Sequence, residues 1–225
     1  MNRFANASLA LLLTALCAAP AWAKRDPQVW TTGGATLDLG GPWRLNEDVV
    51  ARFSENRGGL YEIELNTLVG YRVGNGITLW GGYTHDPQYL DGEHTVTEHR
   101  IREQVTFDKL TKIGSATLSG RLRLEQRWRP SVDGTAWRFR PYLKVAMPLQ
   151  RKTNLNLSSE FFVDLNTSSF QKTTGLGRVR NLISVTTPLV KRLTGEAGYM
   201  NQHTFVQNGE DTSDNIAYFA VSLSL

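Results

Sequence analysis

The chain has 225 residues, 25 Lys plus Arg against 21 Asp plus Glu, a formal charge of +4 and one cysteine. The charge surplus is too mild for a nucleic-acid footprint, the length suits one domain, and a single thiol excludes a disulfide framework. A slightly negative mean hydropathy argues against a helical membrane protein but is normal for a barrel whose lumen face is as polar as its lipid face is apolar.

The first 23 residues read as a cleaved secretion signal. Arg3 supplies the positive end, Ala7 to Ala19 form the apolar run, and Ala21-Trp22-Ala23 fits the small-x-small cleavage pattern. The apolar run falls short of the roughly 20 residues a spanning helix needs, and no later segment supplies one. Cys17 lies inside the signal behind Leu16, too large for a lipidation site, so mature protein keeps no thiol and no acyl anchor. Removing Arg3 leaves 24 basic against 21 acidic residues, a charge of +3.

Residues 24–40 are expected as an N-terminal lead-in or partial strand, and 41–225 as the folded domain. No segment of a dozen residues carries a helical period, whereas alternation of polar and apolar residues recurs to the end of the chain. The expected strands are 43–54, 59–72, 76–86, 96–108, 114–129, 135–147, 153–165, 175–188, 192–202 and 215–225. Most reach the roughly 9 to 11 residues that a tilted strand needs to cross hydrocarbon. In 59–72, Glu62, Glu64 and Asn66 oppose Ile63, Leu65 and Val69; in 121–129, Arg121, Arg123, Glu125, Arg127 and Arg129 oppose Leu122, Leu124 and Trp128. In 135–147, Arg138, Arg140 and Lys144 oppose Phe139, Leu143 and Val145; in 153–165, Glu160 and Asp164 oppose Phe161 and Val163.

Such alternation fits a soluble sandwich with its apolar face inward or a membrane barrel with that face outward. Strand length, charges of both signs on one face and aromatics edging the other favour a single antiparallel transmembrane β-barrel of about ten strands, twelve being the alternative. Connections agree, with short turns at 73–76, 109–114, 148–153 and 188–193 and longer, polar loops at 87–96, 166–175 and 202–214. The short 130–135 connection is the exception. Ala217, Phe219, Val221, Leu223 and Leu225 form an apolar face on the last strand, the kind of terminal signal that barrel-assembly machinery reads, although Leu225 stands where such strands usually end in Phe. Trp43, Tyr61, Tyr71, Tyr83, Phe107, Trp128, Trp137, Phe139, Tyr199 and Phe219 are expected on the lipid side as interfacial girdles.

The order Trp30, Trp43-Arg44-Leu45, Glu98-His99-Arg100-Ile101-Arg102, then Arg121-Leu122-Arg123-Leu124-Glu125-Gln126-Arg127, Trp137-Arg138-Phe139-Arg140-Pro141-Tyr142-Leu143 and Ser159-Glu160-Phe161-Phe162 resembles the domain-of-unknown-function 2490 family. The R-x-R-x-E-x-R run and the R-x-R-P-Y-L that follows are its most specific pieces. The resemblance implies a bacterial outer-membrane barrel with no assigned biochemical activity, and it contributes no catalytic residues.

Inside such a barrel a charge network is expected from Arg100, Arg102, Arg121, Arg123, Arg127, Arg138, Arg140, Arg178 and Arg180 against Glu62, Glu64, Glu98, Glu125, Glu160 and Glu196, with Arg44, Arg52, Arg129, Lys144, Asp48 and Asp164 beside it. One reading is a paired polar plug that stabilises the barrel, since a buried unpaired charge costs several kcal/mol. Another is a narrow pore or pocket whose spare arginines attract small anionic solutes. A third is a lipid hydrolase or acyltransferase: His99 and Glu103 share the outward face, and His203 precedes Asn208-Gly209 and Ser213, a loose echo of a phospholipase pattern. Catalytic residues, cofactors and a metal centre are not expected; Asp91 and Glu93 come nearest to a calcium site. The expected partners are outer-membrane lipid and the barrel-assembly machinery.

Overall fold

A computed structural model describes residues 24–225 apart from 131, 151 and 208; the expected signal 1–23, with Cys17, lies outside the described residues. The strands are β1 (Lys24–Gly40), β2 (Trp43–Ser54), β3 (Gly59–Gly74), β4 (Ile77–Leu90), β5 (Glu93–Ile113), β6 (Ala116–Arg129), β7 (Val132–Pro148), β8 (Asn154–Asp164), β9 (Gly175–Val190), β10 (Leu193–Thr204) and β11 (Thr212–Ser224). Each pairs antiparallel with its neighbour, and β1 closes the barrel on β11.

The closed all-β barrel has eleven strands, close to the expected count of about ten. The difference is 24–40, expected as a lead-in or partial strand, which forms the full wall strand β1. An even count keeps every pair antiparallel, and an odd count forces one parallel pair. Here β1 runs parallel to β11 in unbroken register from Lys24↔Thr212 to Thr36↔Ser224. Asp38 N donates to Leu225 O and Leu225 N donates to Thr36 O, each at 2.9 Å, so the chain end is tied into this seam. Trp30 of β1 packs inside the barrel with Met200 of β10 and Ile216 of β11, flanked by Leu182 and Tyr218. The seam therefore has an apolar weld that no other part of the lumen repeats among the described residues.

Outside, the apolar half of the alternation is bare. Val49, Leu65, Val69, Leu79, Ile101, Leu122, Leu143, Ile183, Phe219 and Val221 are all exposed, as are Trp43, Tyr71, Tyr83 and Tyr199. Tyr61, expected on this face, points inward instead. The register slips between Arg52↔Glu62 and Phe53↔Leu60, leaving Tyr61 as the extra residue of a bulge, and its hydroxyl donates to Gln28 Oε1 at 2.6 Å. A bulge re-aims a side chain against the strict period of two.

One end of the barrel carries tight turns at 41–42, 75–76, 114–115 and 191–192, with a longer turn at 149–153. The other carries 165–174 and 205–211, with shorter connections at 55–58, 91–92 and 130–131. The expected long loop at 87–96 is instead a hairpin extension of β4 and β5. Asp91 (φ 51°) and Gly92 (φ 84°) supply the two left-handed positions of a primed two-residue turn, so polar residues there continue the ladder.

Two adjacent glycines test the face assignment. A Cβ on Gly82 would press into the Thr67 carbonyl oxygen and come within 2.8 Å of Leu68 Cα, whereas one on Gly81 meets nothing within 4 Å. Gly82→Ala is expected to destabilise the barrel by about 1–3 kcal/mol. Gly81→Ala should stay within about 0.5 kcal/mol of wild type. Urea unfolding in detergent, followed by tryptophan fluorescence, reads both; equal midpoints for the two variants would reverse the assignment.

Candidate functional site

The polar half of the alternation meets inside the barrel, and three carboxylates organise it. Glu98 of β5 accepts from Arg100 Nε (2.7 Å), Arg127 Nε and Nη2 (2.8 and 2.9 Å) and Arg129 Nε (3.1 Å). Glu125 of β6 accepts from Arg138 Nη2 and Nε (2.7 and 3.0 Å) and Arg140 Nη1 (2.6 Å), with Arg102 Nε at 3.2 Å. Glu160 of β8 accepts from Arg140 Nε and Nη2 (3.1 and 3.0 Å) and from Arg121. Glu98 and Glu125 have no exposed surface, so each depends wholly on these donors for its solvation.

The contacts close into a ring. Arg52 Nη2 donates to Glu64 (2.9 Å), Glu64 faces Arg102 (3.4 Å), Arg102 faces Glu125 (3.2 Å), and Arg140 joins Glu125 to Glu160 at 2.6 and 2.9 Å. Arg180 lies 4.0 Å from Glu160, and its guanidinium covers one side of Trp30 at 4.6 Å while that of Arg52 covers the ring at 4.2 Å. An aromatic side chain thus bridges two cations where no carboxylate does. Phe162 supplies a second platform, with the guanidiniums of Arg140 and Arg180 at 4.3 and 4.5 Å and those of Arg138 and Arg178 at 5.1 and 5.6 Å.

Glu62, Glu64 and Asp86 hold carboxylate oxygens within 4.8 Å of one another, a spacing that suits a cation. Arginines fill that role: Arg52 meets Glu62 at 2.5 Å, Arg100 meets Glu64 at 2.7 Å, and Arg100 also pairs with Asp86.

Five residues, Trp30, Arg52, Glu64, Arg140 and Arg180, line two cavities at once and form the septum between them. The cavity toward the tight-turn end has about 370 Å³ and carries Asp48, Glu196 and Lys144. The cavity toward the long-loop end has about 180 Å³ and carries Arg57, Arg129, Arg178, Gln202 and Asp214. Loop 165–174 folds over part of the same end. Gln171 is buried, accepts from Arg127 Nη1 at 2.9 Å and donates to the carbonyls of Trp137 (3.0 Å) and Asn166 (2.8 Å).

Of the expected network residues, Arg100, Arg102, Arg121, Arg127, Arg138, Arg140, Glu62, Glu64, Glu98, Glu125 and Glu160 are brought into ion pairs at 3.7 Å or closer. Arg123 leans on Gln104 Oε1 (2.8 Å) and stands 3.9 Å from Glu125. Glu196 accepts from Ser184 Oγ at 2.5 Å and Arg178 donates to Thr204 Oγ1 at 3.2 Å; neither pairs with an opposite charge among the described residues. Asp86, Phe162 and Gln171 were not read as lumen residues. Asp86 shares parity with Thr84, and Phe162 with Glu160 and Asp164, so period two carried both; Gln171 sits in a loop, where no period operates.

The residues weighed for lipid chemistry lie elsewhere. His99 hydrogen-bonds Tyr83 on the outer wall and stacks on Trp128 at 5.7 Å. His203 Nε2 meets Asp211 Oδ2 at 3.1 Å, while Ser213 Oγ accepts from Asn201 Nδ2 at 2.9 Å; no hydrogen bond joins His203 to Ser213 among the described residues.

Glu125→Gln is expected to cost about 3–5 kcal/mol, because it leaves Arg102, Arg138 and Arg140 buried around a neutral group. Glu47→Gln, on the exposed face and bonded only to Thr67 Oγ1, should change little. Guanidinium unfolding of the refolded barrel separates the two, and a Glu125→Gln midpoint equal to wild type would remove Glu125 as an organising residue.

The profile of the family described as "Protein of unknown function (DUF2490)" matches residues 27–213. An uncharacterized protein of Methylorubrum extorquens is 28% identical over 219 residues, 92% of this chain and 93% of that one. Among solved structures, the chain is similar to an anion-selective porin from Comamonas acidovorans, with a TM-score of 0.40 and 12% identity over 83% of this chain. It spans 54% of that porin's length. LpxR from Salmonella typhimurium gives a TM-score of 0.47 and 8% identity over 80% of this chain and 83% of the other. The match across 27–213 places this chain in the DUF2490 family of proteins of unknown function.

Proposed function

We propose that this protein is an outer-membrane β-barrel that spans the bilayer without conducting, its lumen filled by a charge network that fixes the barrel's cross-section. The closed ring from Arg52 through Glu64, Arg102, Glu125, Arg140, Glu160 and Arg180 to Trp30 carries this reading, because it crosses the lumen where the two cavities meet. The bare aliphatic wall supports membrane placement: contiguous apolar surface on this scale aggregates in water, and lipid is the solvent that suits it. Export rests on the signal expected at 1–23, and insertion on the terminal strand β11, whose outward Phe219 and Val221 fit the pattern that assembly machinery reads. Outer-membrane lipid and that machinery are the partners this reading requires.

Reconstituted in a planar bilayer, the protein is expected to leave the baseline flat. The double variant Trp30→Ala/Arg180→Ala removes the aromatic link and the ring's longest ion pair, and should carry current. Stepwise porin-like conductance from the wild type would overturn the closed reading. Heat-modifiable gel migration and recovery in the outer-membrane fraction check placement, and recovery as a freely soluble periplasmic protein would overturn it.

A further inference from the structure

The two cavities differ in how their charges are balanced. In the larger one Lys144 lacks a close carboxylate and Arg123 stands 3.9 Å from Glu125, while Asp48 and Glu196 lack close cations, Asp48 accepting from Asn66 Nδ2 at 2.7 Å and Glu196 from Ser184. The smaller cavity is lined by nine arginines and three carboxylates. Glu62 and Glu64 are engaged by Arg52 and Arg100, which leaves Asp214, already accepting from Gln202 Nε2 at 2.7 Å. Arg178 makes one hydrogen bond, through Nε, so neither of its terminal nitrogens has a partner among the described residues. Arg180 donates through Nε to Gln202 Oε1 at 2.6 Å and reaches Glu160 only at 4.0 Å. Arg57, on the 55–58 connection, lies over the Tyr61 ring at 4.5 Å and has no ion-pair partner among the described residues.

We infer that the smaller cavity is a binding site for a water-soluble oxyanion of the phosphate class, held by Arg178 and Arg180 and covered by Arg57. Two guanidinium forks offer paired N–H donors whose spacing matches phosphate oxygens. Three cations against one free carboxylate leave about two positive charges, which a phosphate of about −1.5 to −2 at pH 7 neutralises better than a monocarboxylate does. At about 180 Å³ the cavity is smaller than the roughly 300–1,000 Å³ of sites for drug-sized ligands, so the ligand is a small anion or the phosphate end of a short solute. The cavity faces the lumen, so the anion comes from the aqueous phase and not from a lipid headgroup. The inference rests on the closed reading for its floor, since the Trp30 septum is what makes this half of the lumen a pocket.

Calorimetric titration of the full mature protein in detergent with inorganic phosphate, at constant ionic strength and against sodium chloride, tests it. Saturable single-site binding is expected. Arg178→Gln should weaken it tenfold or more and Arg57→Ala several-fold, while Lys144→Gln in the other cavity leaves it unchanged. Arg57 is exposed and outside the ring, so its variant folds even where Arg178→Gln does not; heat-modifiable migration reports folding of each. Non-saturable heats, wild-type affinity in Arg57→Ala, or equal loss in Lys144→Gln would overturn the site, and displacement of phosphate by micellar phosphatidic acid would overturn its aqueous source. Binding is read without conductance: current with binding intact removes only the floor, and a flat baseline without binding removes only the site.

Discussion

Glu125 has no solvent contact and three guanidiniums converge on it from β5 and β7. The rest of the lumen depends on that convergence. A buried carboxylate loses several kcal/mol of hydration, and only short contacts to fixed cations return it. Each guanidinium then needs a second acceptor for its remaining donors, so Arg140 reaches on to Glu160 and Arg102 to Glu64. The requirement propagates from strand to strand until it meets Trp30, whose ring carries the guanidinium of Arg180 at 4.6 Å and that of the carboxylate-paired Arg52 at 4.2 Å.

Such a network is a poor source of net stability, since ion pairs of this kind often match a well-packed apolar core only break-even. Its value lies in geometry. Forked contacts tolerate little change in strand position, so they hold the barrel to one cross-section. The charged alternate face also keeps the mean hydropathy slightly negative, as a polar lumen face does. The apolar cluster of Trp30, Met200 and Ile216 lies at the seam, where β1 brings Trp30 and β11 brings Ile216 to the lumen.

Period two made most of this wall legible. The parity of Arg121, Arg123, Glu125 and Arg127 placed all four inside, and the observed β2 keeps the expected bounds of 43–54. What failed was whatever breaks parity or counts strands. Tyr61 turned inward because a bulge inserted one residue, a register event between two strands that neither strand's own sequence records. Segment 24–40 has three glycines and only two charged residues beyond its first two positions, so its alternation is faint, and its pairing is decided by the parallel partner β11. Residues 87–90 and 93–96 were expected in a loop, because an Asp-Gly turn with polar flanks reads the same whether it caps a long hairpin or opens a loop.

Sequence parity alone also hides the difference between the two half-lumens, since it assigns arginines to the inside without saying which carboxylates they reach. Strand stagger decides that. Glu98, Glu125 and Glu160 lie on β5, β6 and β8 and engage the arginines of β5 to β7. On β9, Arg178 and Arg180 have as antiparallel neighbours Thr204 and Gln202 of β10, which offer single neutral oxygens. On the β8 side Arg178 faces Phe162 and Arg180 faces Glu160 at 4.0 Å, so Arg178, with five donors and one neutral acceptor, keeps most of its donors for whatever enters from solvent. Arg178 is thus a lumen cation without an ion pair among the described residues, at the long-loop end and beside strands whose lumen cations are already paired.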